Sequence, residues 1–69
     1  MHVKINGKEN ELGDSITITQ LLNEFNLQPQ QVAVEVNREI IKRDQFETYV
    51  IANGDDIEIL RFVGGGESR

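Results

Sequence analysis

Residues 17–29 read TITQLLNEFNLQP, and this segment largely determines how the rest of the 69-residue chain is arranged. Its apolar side chains recur at i, i+3, i+4 and i+7, a spacing that places them along one face of an α-helix. These side chains are Ile18, Leu21, Leu22 and Phe25. A helix with one apolar face must cover a second layer of structure, so the flanking segments are expected to supply a sheet.

Both ends of this helix carry clear signals. Thr17 and Gln20 have the T-x-x-Q spacing of a capping box, which satisfies backbone N–H groups that the first turn leaves free. The helix is expected to end near Asn26, with Leu27 packing back onto it. Pro29 prevents continuation, because its ring clashes with the preceding turn and it has no N–H group.

The segment before the helix predicts a β-hairpin. Val3 and Ile5 alternate with polar residues, as in a strand with one buried face, and Asn6-Gly7 is a strong signal for a two-residue turn. The returning strand, residues 8–12, is rich in charged side chains. Such charge is typical of a strand at the edge of a sheet.

The segment after the helix predicts two further strands and a crossover. Residues 32–36 alternate Val with Ala and Glu, as in a strand with one buried face. Residues 37–39 turn the chain into a short apolar strand at residues 40–41. Residues 42–50 have no clean period and predict an irregular or short helical crossover. Its expected anchors are Phe46, Tyr49 and Val50.

The C-terminal part predicts one last strand. Asn53-Gly54-Asp55 indicates a turn, residues 57–63 a strand, and the glycine run at residues 64–66 a flexible tail, because glycine is costly to order. Domain boundaries therefore fall at residues 1–63 for a single domain and 64–69 for the tail.

The predicted fold class is α+β: a roll in which one main helix lies across one face of a mixed sheet of four to five strands. The element order is hairpin, helix, strand, short strand, crossover and strand. The expected core is formed by Val3, Ile5, Ile16, Ile18, Leu21, Leu22, Phe25, Val34, Val36, Ile57 and Ile59.

Composition excludes several classes of function. With 69 residues the chain can support one modest core and no deep catalytic cleft between domains. A net charge of −5 opposes binding to nucleic acid or anionic membranes, and the absence of Cys excludes disulfides and thiolate metal sites. Adjacent Asp55 and Asp56 lack a third oxygen donor at ligand spacing and are expected to serve a turn. Neither a metal nor a cofactor is predicted, and the expected location is cytoplasmic.

Three segments together resemble the ThiS-type sulfur carriers. They are residues 32–41 (VAVEVNREII) with Arg43 just after, residues 53–59 (NGDDIEI) and residues 62–66 (FVGGG). Their order and spacing match the family over nearly the whole chain. The resemblance implies the ubiquitin-like β-grasp fold and a carrier that is not an enzyme but the substrate of an activating enzyme. In that family a ThiF-like adenylating enzyme uses ATP to activate the terminal glycine, which then becomes a thiocarboxylate.

The resemblance also implies the partners and the reactive residue. A cysteine desulfurase supplies the sulfur, and thiazole synthase receives it for the thiazole ring of thiamine. The modified glycine corresponds to Gly66, while Gly64 and Gly65 would thread into the activating enzyme. The free carrier is expected to be a monomer.

One departure from the family concerns residues 67–69, Glu-Ser-Arg, which follow the expected terminal glycine. Either a processing protease removes them, or the tail is used differently, or they are an addition to the natural chain. Removal by a protease is the preferred interpretation.

The last strand also predicts a docking patch. Leu60 and Phe62 are out of phase with the core residues of that strand, so they are expected on its opposite side, where with Val63 they would contact the activating enzyme. The alternative is that one of them packs beneath the crossover around Phe46.

For the chain as a whole two alternatives stay open: a carrier for another sulfur product, such as molybdopterin or homocysteine, or a β-grasp binding module with an inert tail.

Overall fold

The computed structural model describes residues 1–62. It contains five strands, one α-helix and two short 3₁₀ helices, the latter at Pro29–Gln31 and Arg43–Gln45. The strands and the helix are β1 (His2–Ile5), β2 (Lys8–Glu11), α1 (Ile18–Glu24), β3 (Val32–Val36), β4 (Glu39–Ile41) and β5 (Asp56–Arg61). Val63 and the predicted tail at residues 64–69 lie outside the described part.

The five strands form one mixed sheet in the order β2-β1-β5-β3-β4. The first and last strands within residues 1–62, β1 and β5, pair in parallel at the centre of the sheet, and the other neighbours are antiparallel. With one α-helix against this sheet, the α+β prediction and the β-grasp arrangement are confirmed. The α-helix of the described residues is too short and too polar to cross a membrane.

The predicted N-terminal hairpin is present. Ile5 pairs with Lys8, which leaves Asn6 and Gly7 as the loop. Their φ angles are 52° and 83°, and a type I′ turn requires positive φ at both positions. The charged strand β2 lies at one edge of the sheet, as predicted.

The start of α1 satisfies its free N–H groups in two ways. Gln20 donates from its backbone to the Thr17 hydroxyl at 3.2 Å, and its side chain accepts from the Thr17 N–H at 2.8 Å, so the capping box is confirmed. The crossover supplies the rest. The Ile18 and Thr19 N–H groups donate to the carbonyls of Tyr49 and Phe46 at 3.2 and 3.0 Å.

The end of α1 corrects the prediction for Phe25. The helix ends at Glu24, Asn26 adopts φ 58°, and the Leu27 N–H donates to the Leu22 carbonyl at 2.9 Å, which is a Schellman motif with Asn in the left-handed position. Phe25 is therefore the capping residue rather than part of the apolar stripe, and its side chain is 41% exposed. Its assignment to the core was wrong, and Leu27 packs against the core instead.

The core lies between α1 and the inner face of the sheet. Nine of the eleven predicted core residues are buried, and Ile16 packs partly buried against them. The core also contains five residues outside that predicted set, of which Phe46 was expected only as an anchor of the crossover. They are Leu12, Val32, Ile41, Phe46 and Ile51.

Two of the three predicted anchors of the crossover are confirmed, and the third is wrong. Phe46 is buried and Tyr49 is packed against the core, but Val50 is 55% exposed. Thr17 and Val50 form an isolated antiparallel bridge, and the Ile51 N–H donates to the Ile16 carbonyl at 2.9 Å. Because neighbouring residues of an extended segment point to opposite sides, Ile51 faces the core and Val50 faces solvent.

Candidate docking face and tail attachment

The predicted site residues divide into those that the structure describes and those that it does not. Leu60 and Phe62 are described, whereas Val63 and the three glycines at residues 64–66 lie outside the described residues. Leu60 is 58% exposed and Phe62 is 52% exposed. Neither is buried beneath the crossover, so the alternative that placed one of them against Phe46 was wrong. Their contact with a partner stays a prediction.

The alternation of β5 explains the exposure of Leu60. Ile57 and Ile59 point into the core and are buried, and Leu60 lies on the other face of the strand. No helix of the described residues covers this outer face, because α1 packs on the inner one. An apolar side chain is therefore presented to solvent directly before the tail.

The strand register shows which residues share the outer face with Leu60. Ala33 lies opposite Leu60, Glu35 lies opposite Glu58, and Ile40 lies opposite Glu35 on the next strand. Ile40 is 74% exposed, which makes it a second apolar side chain on this face. The sequence alone did not indicate this neighbour, because the register between β3 and β4 places it there and the local pattern does not.

The outer face also carries two neighbouring negative charges. Glu35 and Glu58 face each other across neighbouring strands, and like charges in that position are unfavourable. Neither carboxylate forms an ion pair with any residue in the range 1–62. The face therefore combines exposed apolar groups with two carboxylates that form no ion pair in the described part of the chain, and it matches a partner surface that is apolar and flanked by Lys or Arg.

The point at which β5 leaves the sheet is held by a side chain. The Asn6 amide accepts a hydrogen bond from the Ile59 N–H at 2.8 Å and donates one to the Ile59 carbonyl at 3.3 Å. On the other side the Phe62 N–H donates to the Gln31 carbonyl at 2.9 Å. The backbone is thus anchored up to Phe62, immediately before the predicted tail.

The polar groups at the start of β5 serve the fold. Asp55 is buried, and its two carboxylate oxygens accept hydrogen bonds from the Asn37 amide and the Ala52 N–H.

Burial raises the pKa of the Tyr49 hydroxyl, and the negative charges of Asp55 and Glu39 raise that pKa further. A phenol with a raised pKa is neutral at physiological pH, so Tyr49 acts as a packing residue. Among residues 1–62 no cluster of three His, Asp or Glu side chains is placed to hold a metal ion.

Comparison with known proteins gives a consistent set of relatives. The sequence profile of the ThiS family matches residues 3–66. The sulfur carrier protein ThiS of Bacillus subtilis is 38% identical over 65 residues, which cover 93% of this chain and 98% of that protein. The crystal structure of the thiamine biosynthesis protein ThiS from Geobacter metallireducens has a TM-score of 0.81 at 35% identity, covering 96% of this chain and 100% of that one.

A further relative is much longer than this chain. A thiazole synthase of Paramagnetospirillum magneticum is 36% identical over 69 residues, which are 100% of this chain and 21% of that protein. The chain therefore spans about a fifth of the length of this relative.

Proposed function

Because the chain belongs to the ThiS family, we propose that it carries sulfur as a thiocarboxylate on Gly66 for synthesis of the thiazole ring of thiamine. The observation that carries the proposal is the position at which the family match ends. It covers residues 3–66, so its last residue is the third glycine after the β-grasp domain. On this proposal the chain is a substrate of other enzymes, and its chemistry needs no metal or cofactor of its own.

The proposed chemistry starts at the carboxylate of Gly66. A carboxylate is a poor acyl donor, and a ThiF-like adenylating enzyme would convert it to an acyl adenylate with release of pyrophosphate. The outer sulfur of a cysteine desulfurase persulfide then displaces AMP to give an acyl disulfide, and a second thiol cleaves its S–S bond, which releases the thiocarboxylate and leaves that thiol in a disulfide. Dividing the reaction into successive steps lowers each barrier. Gly64, Gly65 and Gly66 suit a narrow passage, because a residue without Cβ lets the backbone approach the enzyme closely.

The three residues after Gly66 require a processing step. In the full sequence the Gly66 carboxyl is joined to Glu67 in a peptide bond, which the adenylating enzyme cannot activate. Hydrolysis of that bond by a protease would free the carboxylate. The end of the family match supports this boundary, because residues 67–69 lie outside it.

The outer face of the sheet would dock on the adenylating enzyme. Leu60 and Phe62 are both more than half exposed, and Ile40 extends the apolar surface across the sheet. Val63, the next residue in the sequence, is proposed to belong to the same docking patch. Glu35 and Glu58 on this face, together with the net charge of −5, would steer the carrier towards a basic surface on the enzyme.

The proposed acceptor of the sulfur is thiazole synthase. A protein named thiazole synthase contains a segment similar to this entire chain, which supports a close relation between the two activities. The activation step consumes ATP, so we place it in the cytoplasm, with the carrier free as a monomer between its partners.

Intact mass spectrometry tests the proposal. A chain ending at Gly66 is incubated with the adenylating enzyme, ATP, the desulfurase, cysteine and a thiol reductant. The expected mass increase equals the exchange of one oxygen for one sulfur, and it maps to Gly66 in the C-terminal peptide. An unchanged mass under conditions that convert the Bacillus subtilis relative would contradict the proposal and favour a binding module.

A further inference from the structure

Strand β5 is paired on both sides over most of its length but not at its end. On one side, β1 pairs with it through Lys4–Asp56 and Ile5–Ile57, and the chain then turns away at Asn6. The Asn6 side chain takes the place of one further strand residue, through its two hydrogen bonds to the Ile59 backbone. Pairing on this side therefore stops at Ile59.

The direction of the backbone groups follows from the hydrogen bonds on each side. Ile59 directs its N–H and carbonyl to the β1 side, whereas Phe62 directs its N–H to the other side, where Gln31 accepts it at 2.9 Å. Backbone groups of successive strand residues point to alternate edges. Arg61, two residues after Ile59, therefore directs its N–H and carbonyl to the β1 side. Within residues 1–62, β1 pairs with β5 only as far as Ile57 and the Asn6 side chain reaches only Ile59, so neither Arg61 group meets a partner on this side.

This open edge differs from the two outer edges of the sheet. The strand β2 is protected by charge, and β4 is only three residues long, both common defences against unwanted pairing. The edge at Arg61 instead lies at the centre of the sheet and directly before the glycines. Gly66 is five residues further along the chain, so it lies at most about 18 Å from Arg61.

A protein that holds Gly66 must consequently lie close to this edge. We propose that the open edge of β5 at Arg61 is a strand-addition site, where an extended segment of the adenylating enzyme pairs with the carrier backbone while Gly66 enters the active site. This inference rests on the proposed function. Main-chain pairing of this kind fixes the position of a bound strand along its axis. It would thus set how deeply the glycine tail enters the active site of the adenylating enzyme.

Hydrogen exchange measured by NMR tests the site without altering the protein. In the free carrier the Arg61 N–H is expected to exchange fast, whereas the Leu60 N–H, which faces β3, and the Phe62 N–H, which donates to Gln31, are expected to exchange slowly. Adding the adenylating enzyme and ATP to a chain ending at Gly66 is expected to slow exchange at Arg61 by about tenfold or more, as for a newly formed hydrogen bond.

The possible outcomes separate the two proposals. If the complex forms and supports ATP–pyrophosphate exchange but the Arg61 N–H stays fast, the strand-addition site is wrong and the proposed function stands. If neither a complex nor pyrophosphate exchange is detected, the proposed function itself is contradicted and this inference falls with it.

A pair of variants gives a second test. Arg61→Pro removes the arginine side chain and the N–H that faces the open edge, a position at which strands tolerate proline. Arg61→Ala removes the side chain and keeps that N–H, so the two variants differ at the N–H. The proline variant is expected to lose about tenfold in kcat/KM for pyrophosphate exchange, and the alanine variant to stay within about twofold of the parent. Thermal unfolding verifies that both are folded. Equal kcat/KM for the two folded variants would overturn the inference. If the proline variant does not fold, the hydrogen-exchange measurement at the Arg61 N–H decides the question.

Discussion

The side-chain amide of Asn37 donates a 3.0 Å hydrogen bond to the buried carboxylate of Asp55. The second Asp55 oxygen accepts from the Ala52 N–H at 2.8 Å, and the Asn37 side-chain oxygen accepts from the Asp56 N–H at 3.0 Å. These contacts join the turn between β3 and β4 to the start of β5. The Asp55 carboxylate therefore serves a turn, as the sequence predicted, whereas Asp56 contributes its backbone N–H and its side chain is exposed.

Loss of the Asp55 carboxylate is expected to destabilise the fold. Asp55→Ala leaves the Ala52 N–H and the Asn37 amide without their acceptor, which should lower the free energy of unfolding by about 1–3 kcal/mol. Denaturant-induced unfolding measures this change in the free energy of unfolding. Asp56→Ala is the matched control, because that side chain is exposed and should change stability by no more than about 0.5 kcal/mol. Equal losses at both positions would show that burial of the Asp55 carboxylate is not the cause.

The turn between β3 and β4 is expected to gain stability from glycine. Asn37 and Arg38 have φ angles of 53° and 72°, and a side chain with Cβ is strained in this region. Arg38→Gly should therefore raise the free energy of unfolding by about 0.5–1 kcal/mol. Arg38→Ala keeps the Cβ and removes the charge, and it should leave stability nearly unchanged. A gain of the same size in the alanine variant would assign the effect to the arginine side chain and not to the backbone.

Truncation of Leu22 and of Phe25 to alanine is expected to lower the free energy of unfolding by very different amounts. Leu22→Ala opens a cavity in the core and should cost about 2–5 kcal/mol. Phe25→Ala should cost less than about 1 kcal/mol, because the Phe25 side chain is already 41% exposed. Chemical denaturation of both variants decides this, and a larger loss at Phe25 than at Leu22 would show that the helix does not end at Glu24.

The outer face is expected to govern recognition and not stability. Leu60→Glu should leave the unfolding midpoint almost unchanged while raising the KM for the adenylating enzyme by about tenfold, since a charge would be buried against an apolar partner surface. Val50→Glu is the control, because Val50 is 55% exposed and Leu60 58%, but Val50 lies on the crossover. A similar rise in KM for both variants would indicate a general charge effect and contradict a docking role for Leu60.

Local signals in the sequence predicted the parts of the fold that short segments determine. The Asn6-Gly7 turn, the Thr17–Gln20 capping box and the alternation of β3 each depend on residues a few positions apart. Phe25 was missed because the left-handed Asn26 ends the helix early, and a sequence with Asn in place of Gly gives only a weak signal for that conformation.

Contacts between distant segments could not be predicted in the same way. Ile51 is buried in place of Val50 because the crossover pairs with residues 16 and 17, and Ile40 joins the outer face through the register of β4 on β3. The open edge at Arg61 depends on where β1 turns away from β5. Each of these features requires the relative position of strands, which local periodicity does not contain.

The identity of the activated residue is tested most directly by ATP–pyrophosphate exchange with the adenylating enzyme. Two forms are compared at equal concentration: the full 69-residue chain and a chain ending at Gly66. Removing Glu67 and Arg69 takes away one acid and one base, so the side-chain charge total remains −5 and long-range attraction to the enzyme is unchanged. We expect fast exchange for the chain ending at Gly66 and almost none for the full chain. Equal rates, with the full chain shown by mass spectrometry to be intact afterwards, would contradict activation at Gly66.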